Sequence, residues 1–322
     1  VKGGIFLQDT EYAYAVAYIK TLENKMLTPS DMDSLINAES FSESLKLLSS
    51  KGYPEGTDID EITEKELKKA WDEVLDCTPD GAPLDILKYK NDFHNLKTIL
   101  KAFIVNTNWE KLILSPSVED PKKIYEAVKT ANFSELDEFL RDAAKGAYEI
   151  ITKENDGQKA EIYIDKKSFE AIKNACRGNE FLEEWAETNI VLTDFLIALR
   201  AYGKSREFIR SAFLKTDKIN LDTLAAAAES GSGAVGEFIA KNGYTDGAEA
   251  LKNSLGEFEK WCENKKTELL KTQKHHFFGF EPIMAFLLGK ENEVQAVRII
   301  LTAHKNNIPK DIIRERIGEL YV

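Results

Sequence analysis

Apolar side chains recur along this chain at steps of three and four. Tyr12, Val16, Ile19, Leu22 and Met26 fall on one stripe of a helix. Thr28-Pro29-Ser30-Asp31 predicts a restart, with a capping hydroxyl, a proline that the first turn tolerates and an early acid. Ser40 and Glu43 have the spacing of a capping box ahead of Leu45, Leu47 and Leu48, and Gly52 is placed to end that helix. Thr63 and Glu66 repeat the box ahead of Leu67, Trp71 and Leu75. Asp120-Pro121 and Glu281-Pro282 open two more helices. A β-like look is confined to Glu161-Ile162-Tyr163-Ile164, and nearby segments offer it no strand partner. The pattern therefore predicts an all-α chain of many short and medium helices. Turns are expected at Pro79-Asp80-Gly81, Ser115-Pro116-Ser117, Asn155-Asp156-Gly157, Gly203-Lys204-Ser205 and Gly231-Ser232-Gly233. None is long or biased enough for a flexible linker, so a compact, multi-lobed body is expected.

Three segments, residues 92–102, 191–201 and 293–303, share one pattern. Aligned without gaps, Leu100, Leu199 and Leu301 coincide, as do Ala102, Ala201 and Ala303 and the apolar Leu96, Phe195 and Val297. The copies lie about 100 residues apart, beyond the roughly 20–50-residue period of solenoid repeats. This predicts a helical unit present three times, around a pseudo-threefold axis. Its approximate divisions are 1–115, 116–203 and 204–322, with helices open to exchange between units. Any amphipathic helix ending in Leu-x-Ala would align in the same way, and that alternative stays open. Under threefold symmetry Lys97, Leu196 and Arg298 form one ring and Lys101, Arg200 and Thr302 another. Lys97, Lys101, Arg200 and Arg298 are thus candidate partner-interface residues, lining an opening that receives an acidic partner. Ordinary exposed faces or interhelical ion pairs would use the same side chains.

Composition narrows the function classes. The chain has 322 residues, 43% of them hydrophobic, enough for a sizeable core. Its net charge of -12 argues against a nucleic-acid partner, which needs clustered lysine and arginine. Cys77, Cys176 and Cys262 are far apart and odd in number, which argues against a disulfide framework. No apolar run approaches the length of a membrane span, and no basic region precedes an apolar stretch near Val1. The expectation is a cytoplasmic protein that reaches a membrane only through a partner, without inserting into the bilayer.

Catalytic signatures are weak. Gly231-Ser232-Gly233-Ala234-Val235-Gly236 has the letters of a dinucleotide loop, but Leu224-Ala225-Ala226-Ala227-Ala228-Glu229 before it is helical sequence rather than a buried strand. No phosphate-binding P-loop and no G-x-S-x-G nucleophile elbow is present. His275 and His276 are adjacent, so on a helix they point about 100° apart and cannot chelate as an i, i+4 pair does. Trp71, Trp109, Trp185 and Trp261 sit in helical patterns and are expected to anchor cores. No catalytic residue, cofactor or metal site is expected.

Several stretches together resemble the central-stalk C subunit of the V/A-type rotary ATPases, whose eukaryotic counterpart is the d subunit. They are Tyr12-Ala13-Tyr14-Ala15-Val16-Ala17 with Leu22-Glu23-Asn24-Lys25-Met26-Leu27, then residues 92–102, then the run from Glu281-Pro282 through Lys290-Glu291-Asn292-Glu293 to Arg298-Ile299-Ile300-Leu301 and Ile313-Arg314-Glu315-Arg316. The second repeat departs from the motif, with Val191 and Asp194 where it favours Asp and Asn. The resemblance implies a funnel-shaped body of three similar helical domains, one copy per complex. It implies a non-catalytic place in the rotor, between the D and F shaft subunits and the membrane ring of proteolipid subunits, on the inner face of the membrane. Such a socket passes torque between ATP turnover and proton or sodium transport, and needs no cofactor of its own. An unrelated helical scaffold or adaptor is the alternative, and a helical enzyme with an unrecognised pocket is a third.

Overall fold

The computed structural model describes residues 8–201 and 203–322, and every regular element in them is helical. The α-helices are α1 (Ala13–Glu23), α2 (Pro29–Asn37), α3 (Phe41–Ser50), α4 (Ile59–Cys77), α5 (Asp85–Val105), α6 (Pro121–Thr130), α7 (Glu138–Glu149) and α8 (Gly157–Ala175). They continue as α9 (Glu180–Arg200), α10 (Arg206–Ala212), α11 (Leu221–Ser230), α12 (Ser232–Lys241), α13 (Thr245–Asn253), α14 (Leu255–Lys271), α15 (Glu281–Lys305) and α16 (Lys310–Arg316).

Most of the expected starts and stops form, each through an identifiable bond. Thr28 Oγ1 accepts from the Asp31 amide at 3.2 Å while Asp31 Oδ2 accepts from the Thr28 amide at 2.9 Å, closing the box. Ser40 caps α3, but Glu43 turns its carboxylate to the Glu39 amide at 2.6 Å, so that box is half made. Gly52, with φ +87°, follows the end of α3, as a left-handed stop requires. Asp120 caps α6 through the Lys122 amide. The Thr63–Glu66 start is corrected: α4 begins already at Ile59, capped by Asp58 Oδ1 on the Glu61 amide at 2.9 Å. Thr63 is inside the helix and donates its hydroxyl back to the Ile59 carbonyl. The β-like Glu161–Ile164 stretch lies within α8, where Ala160, Ile164, Ser168, Ala171 and Ala175 make a buried stripe at steps of three and four. That longer helical period overrides four residues of alternation. Gly231, with φ +110°, joins α11 to α12, so the glycine-rich sequence is a turn between helices.

Packing divides the chain into two compact units. One is contiguous, Pro83–Val235; the other joins residues 8–82 to Gly236–Val322. In the contiguous unit, Phe93, Leu96, Ile99 and Leu100 of α5 meet Ile124 and Val128 of α6 and Leu140 of α7 in one core. Ala143, Ala144 and Ala147 give α7 a small-residue face, and Tyr163 of α8 lies so close to Gly146 that a Cβ there would sit 2.5 Å from its ring.

In the discontinuous unit, α15 is the central post. Pro282 through Lys290 are buried without a break, the mark of a helix enclosed on all sides. It packs against α1, α3, α4, α14 and α16. The expected stripe of α1 is fully inside: Tyr12, Val16, Ile19, Leu22 and Met26 are all buried. Tyr321, also fully buried, lies across Gly289 of α15 and donates its hydroxyl to Glu23 Oε1 of α1 at 2.8 Å.

A methyl group at Gly289 would stand 2.6 Å from the Tyr321 Cβ and Cγ, where the neighbour is too close to its own backbone to swing away. Gly289→Ala is expected to destabilise the protein by about 1–3 kcal/mol through overpacking. Gly233→Ala, with no atom within 4 Å of the new methyl, serves as the control and should not lower stability. Urea unfolding of the two variants beside the parent checks this; equal midpoints for G289A and the parent would contradict it.

Candidate partner interface

The four cations singled out by the repeat occupy different settings. Lys97 and Lys101 lie one turn apart on α5 and both reach α8, Lys97 to Asp165 at 2.6 Å and Lys101 to Glu161 at 2.8 Å. The structure thus brings these two into one row within the contiguous unit. Arg200 is exposed in the last turn of α9. Arg298, on α15 of the discontinuous unit, pairs with Asp60 at 2.8 Å and donates to Thr63 Oγ1 at 2.7 Å. Pairs this accessible contribute about 0.2–1 kcal/mol each, so an incoming carboxylate can replace the internal one at small cost.

Buried polar side chains on the long helices do a different job. On α5, Asp92 accepts from the Glu119 amide at 2.8 Å, and Asn95 both accepts from and donates to the backbone of Leu114. Asn91 adds a bond to the Pro116 carbonyl, so three side chains hold residues 114–119 against the helix. On α9, Asp194 Oδ1 accepts from the Leu214 amide at 2.8 Å. On α15, Glu293 accepts from the Leu27 amide at 2.7 Å and the Tyr53 hydroxyl at 2.6 Å. Asn95 and Asp194 stand at the same place in the repeat and reach 19 and 20 residues ahead. Asp92 and Glu293 share another place. In the sequence these residues sit within the three aligned segments, and their role as struts goes unseen. The available signal was their position: charged or amide groups among apolar residues that the repeat itself places in the core.

Burial sets the protonation of these groups. It pushes Asp92 up to about 6, against the amide bonds from Glu119 and Val118, and Asp194 up to about 7, against the bond from Leu214. Asp194 Oδ2 is buried with no partner. Lys290 is 6% exposed and sits between Glu66 at 2.7 Å and Glu293 at 2.6 Å. Burial opposes its charge, but the two carboxylates outweigh that and raise its pKa.

Other candidate chemistry is structural. Cys77, Cys176 and Cys262 are buried and form no disulfide, and burial drives the Cys176 thiol up to about 12, far from a reactive thiolate. Among the described residues no group of three His, Cys, Asp or Glu side chains could hold a metal ion. His304 Nε2 lies 3.0 Å from the Leu35 carbonyl, joining α15 to α2. Trp71 and Trp261 are buried as expected of core anchors, while Trp109 is half-buried and stacks on Tyr125. An exposed apolar group that the sequence pattern does not reveal closes α5: Phe103, Ile104 and Val105, with Leu112 and Leu114 just beyond. Large apolar side chains left exposed are candidates for cover by a partner where they gather into one patch.

Asp194 yields a prediction with a definite sign. A carboxyl group whose pKa rises on folding stabilises the fold fully below its unfolded pKa, here 3.8, and loses that contribution as pH climbs through about 7. Asp194→Asn keeps the acceptor and removes the charge, copying Asn95. It should unfold later than the parent at pH 8, keep only part of that advantage at pH 5 and lose it below about pH 4. Thermal unfolding across this range tests it; a pH-independent difference would mean that the Asp194 charge is not what the fold resists.

Comparison with known proteins fits this architecture. The model of the ATP synthase (C/AC39) subunit family matches residues 15–316. The C subunit of the V-type sodium ATPase of Enterococcus hirae is 21% identical over 97% of this chain and 99% of its own length. The C subunit of the A-type ATP synthase of Methanocaldococcus jannaschii is 25% identical over 96% of this chain and 86% of its own. That of Desulfurococcus sp. is 22% identical over 97% and 92%. A match running from α1 through α16, on an all-helical chain, has one consequence: this protein belongs to the C-subunit family of the V/A-type ATP synthases.

Proposed function

We propose that this chain is a non-catalytic coupling subunit of the rotor in a V/A-type ATPase or ATP synthase. In this reading one copy seats the D–F shaft and rests on the proteolipid ring, passing torque between them at the inner face of the membrane. The observation that carries it is the near end-to-end similarity to the C subunits of a V-type sodium ATPase and of A-type ATP synthases.

The physical character of the chain supports the role. A torque coupler must resist twisting, so its helices and connections need fixing by more than apolar contact. The bonds from Asp92, Asn95, Asp194 and Glu293 to distant backbone supply that fixing. No described helix is long and apolar enough to cross a membrane, which suits contact with ring loops from outside the bilayer. Two lasting interfaces would each need on the order of 1,000 Å². Lys97, Lys101, Arg200 and Arg298 are proposed contacts for acidic partner groups, and Phe103, Ile104 and Val105 for apolar ones. The proposal includes three related units, residues 1–115, 116–203 and 204–322, supported by the matched roles of Asn95 and Asp194.

Native mass spectrometry of the protein with the D–F shaft and the solubilised proteolipid ring tests the assignment. A ternary complex holding one copy of this chain is expected. A folded protein that joins neither partner would overturn it. Charge reversal at Lys97 with Arg298 separates the interface question: shaft or ring affinity should fall about tenfold or more if these cations meet a partner. Unchanged affinity in a folded variant would confine them to their internal pairs with Asp165 and Asp60.

A further inference from the structure

A two-lobed groove follows α8 in the contiguous unit. Its first lobe, a cavity of about 480 Å³, has an apolar floor of Ile150, Ile162, Tyr163 and Phe208. The second, of about 600 Å³, is floored by Phe169, Ile190, Phe213, Leu214 and Leu221. Lys166 and Glu170 line both. Lys166 Nζ donates to the Ser211 carbonyl at 2.8 Å, which places the ammonium at the waist between the lobes.

The charge of this groove runs against that of the chain. Seven lysines and arginines line the two lobes against three acids, in a protein of net charge -12. Some are matched locally, as Lys167 is by Glu170 and Arg210 by Asp222, each at 2.9 Å. Lys166, Arg177 and Lys215 have no acidic side chain within ion-pair reach among the described residues. Burial and then the Arg210 guanidinium lower the Lys166 pKa, so a carboxylate placed beside it would offset a repulsion already present.

We propose that this groove docks an acidic amphipathic helix of a partner protein, its apolar face on the two floors and its carboxylates toward Lys166, Arg177 and Lys215. The 19 residues of α8 extend about 28 Å at 1.5 Å per residue, room for a guest helix of some five turns. Two apolar hollows in line, separated by a polar waist, suit anchors one or two turns apart on that guest. A nucleic acid is a poor occupant, because the floors are apolar and the whole chain repels a polyanion. The inference goes beyond the rotor reading and does not depend on it.

The test is fluorescence anisotropy of the full chain with a labelled peptide of about 18 residues, leucine on one helical face and glutamate on the other. A second peptide carries glutamine for every glutamate. The acidic peptide should bind at least about tenfold tighter than the glutamine one, and added salt should weaken it. Arg177→Glu with Lys215→Glu, both exposed positions, should cost about tenfold. Lys46→Glu with Lys252→Glu, exposed elsewhere, changes the net charge equally and should cost little. Equal binding of the two peptides, or equal losses in the two charge-reversed variants, overturns the proposal. So does binding only to phosphatidylglycerol vesicles, or self-association of the chain that R177E/K215E abolishes while no peptide binds.

Discussion

Lys290 holds its ammonium at the end of the unbroken buried stretch of α15, and the discontinuous unit is arranged around that charge. Glu66 of α4 and Glu293 of α15 flank it, and the Tyr53 ring lies 4.9 Å from it. Removing one member of such a buried set costs about 3–5 kcal/mol, because the others are left charged and unpaired. Glu293 also takes bonds from Tyr53 and from the Leu27 amide, so the charge is tied to the chain on both sides of α3. An apolar core tolerates shifts of register, whereas sliding α15 along α4 would part Lys290 from Glu66 and leave buried charge unpaired. The unit thus obtains a fixed geometry from a group that contributes little net stability.

The contiguous unit reaches the same end with weaker groups. Its long helix α5 uses Asn91, Asp92 and Asn95 to grip the backbone beyond it, and α9 uses Asp194. Each bond joins a helix interior to a loop far along the chain. Such loops cannot slide without leaving a buried acceptor unpaired, a cost of about 1–3 kcal/mol per group. Stiffness in this fold therefore comes from side chain to backbone bonds as well as from packing, which suits the rotor role proposed above.

Local chemistry was legible in the sequence where one short segment contains both partners of a bond. Thr28 with Asp31, Ser40 with the Glu43 amide, and Asp120 before Pro121 all behave as their spacing predicts. Thr63 misleads because Asp58, just upstream, competes for the same helix and wins with a carboxylate cap. The helical fate of Glu161–Ile164 depended on a stripe from Ala160 to Ala175, longer than the window in which alternation shows. The Lys290 cluster was out of reach, since Glu293 meets Leu27 across 266 residues and Tyr53 across 240. Lys97, Lys101 and Arg298 were visible as cations, but their internal partners Asp165, Glu161 and Asp60 were not, because nothing in one sequence pairs α5 with α8 or α15 with α4. The groove along α8 was hidden for the same reason: its floor draws on four helices and the turns between them.

The divided unit also imposes an order on the birth of the molecule. A ribosome delivers residues 8–82, with α1 and α4, before the rest of the described chain, yet the post they enclose is α15. Until Glu293 emerges, the Leu27 amide and Tyr53 hydroxyl lack their acceptor, and the apolar stripe of Tyr12, Val16 and Ile19 lacks its cover. Residues 83–235, by contrast, hold their own core and can settle as they appear. A nascent chain therefore carries that apolar stripe without the cover of α15 until the closing helices are made, which is when it is most open to wrong contacts.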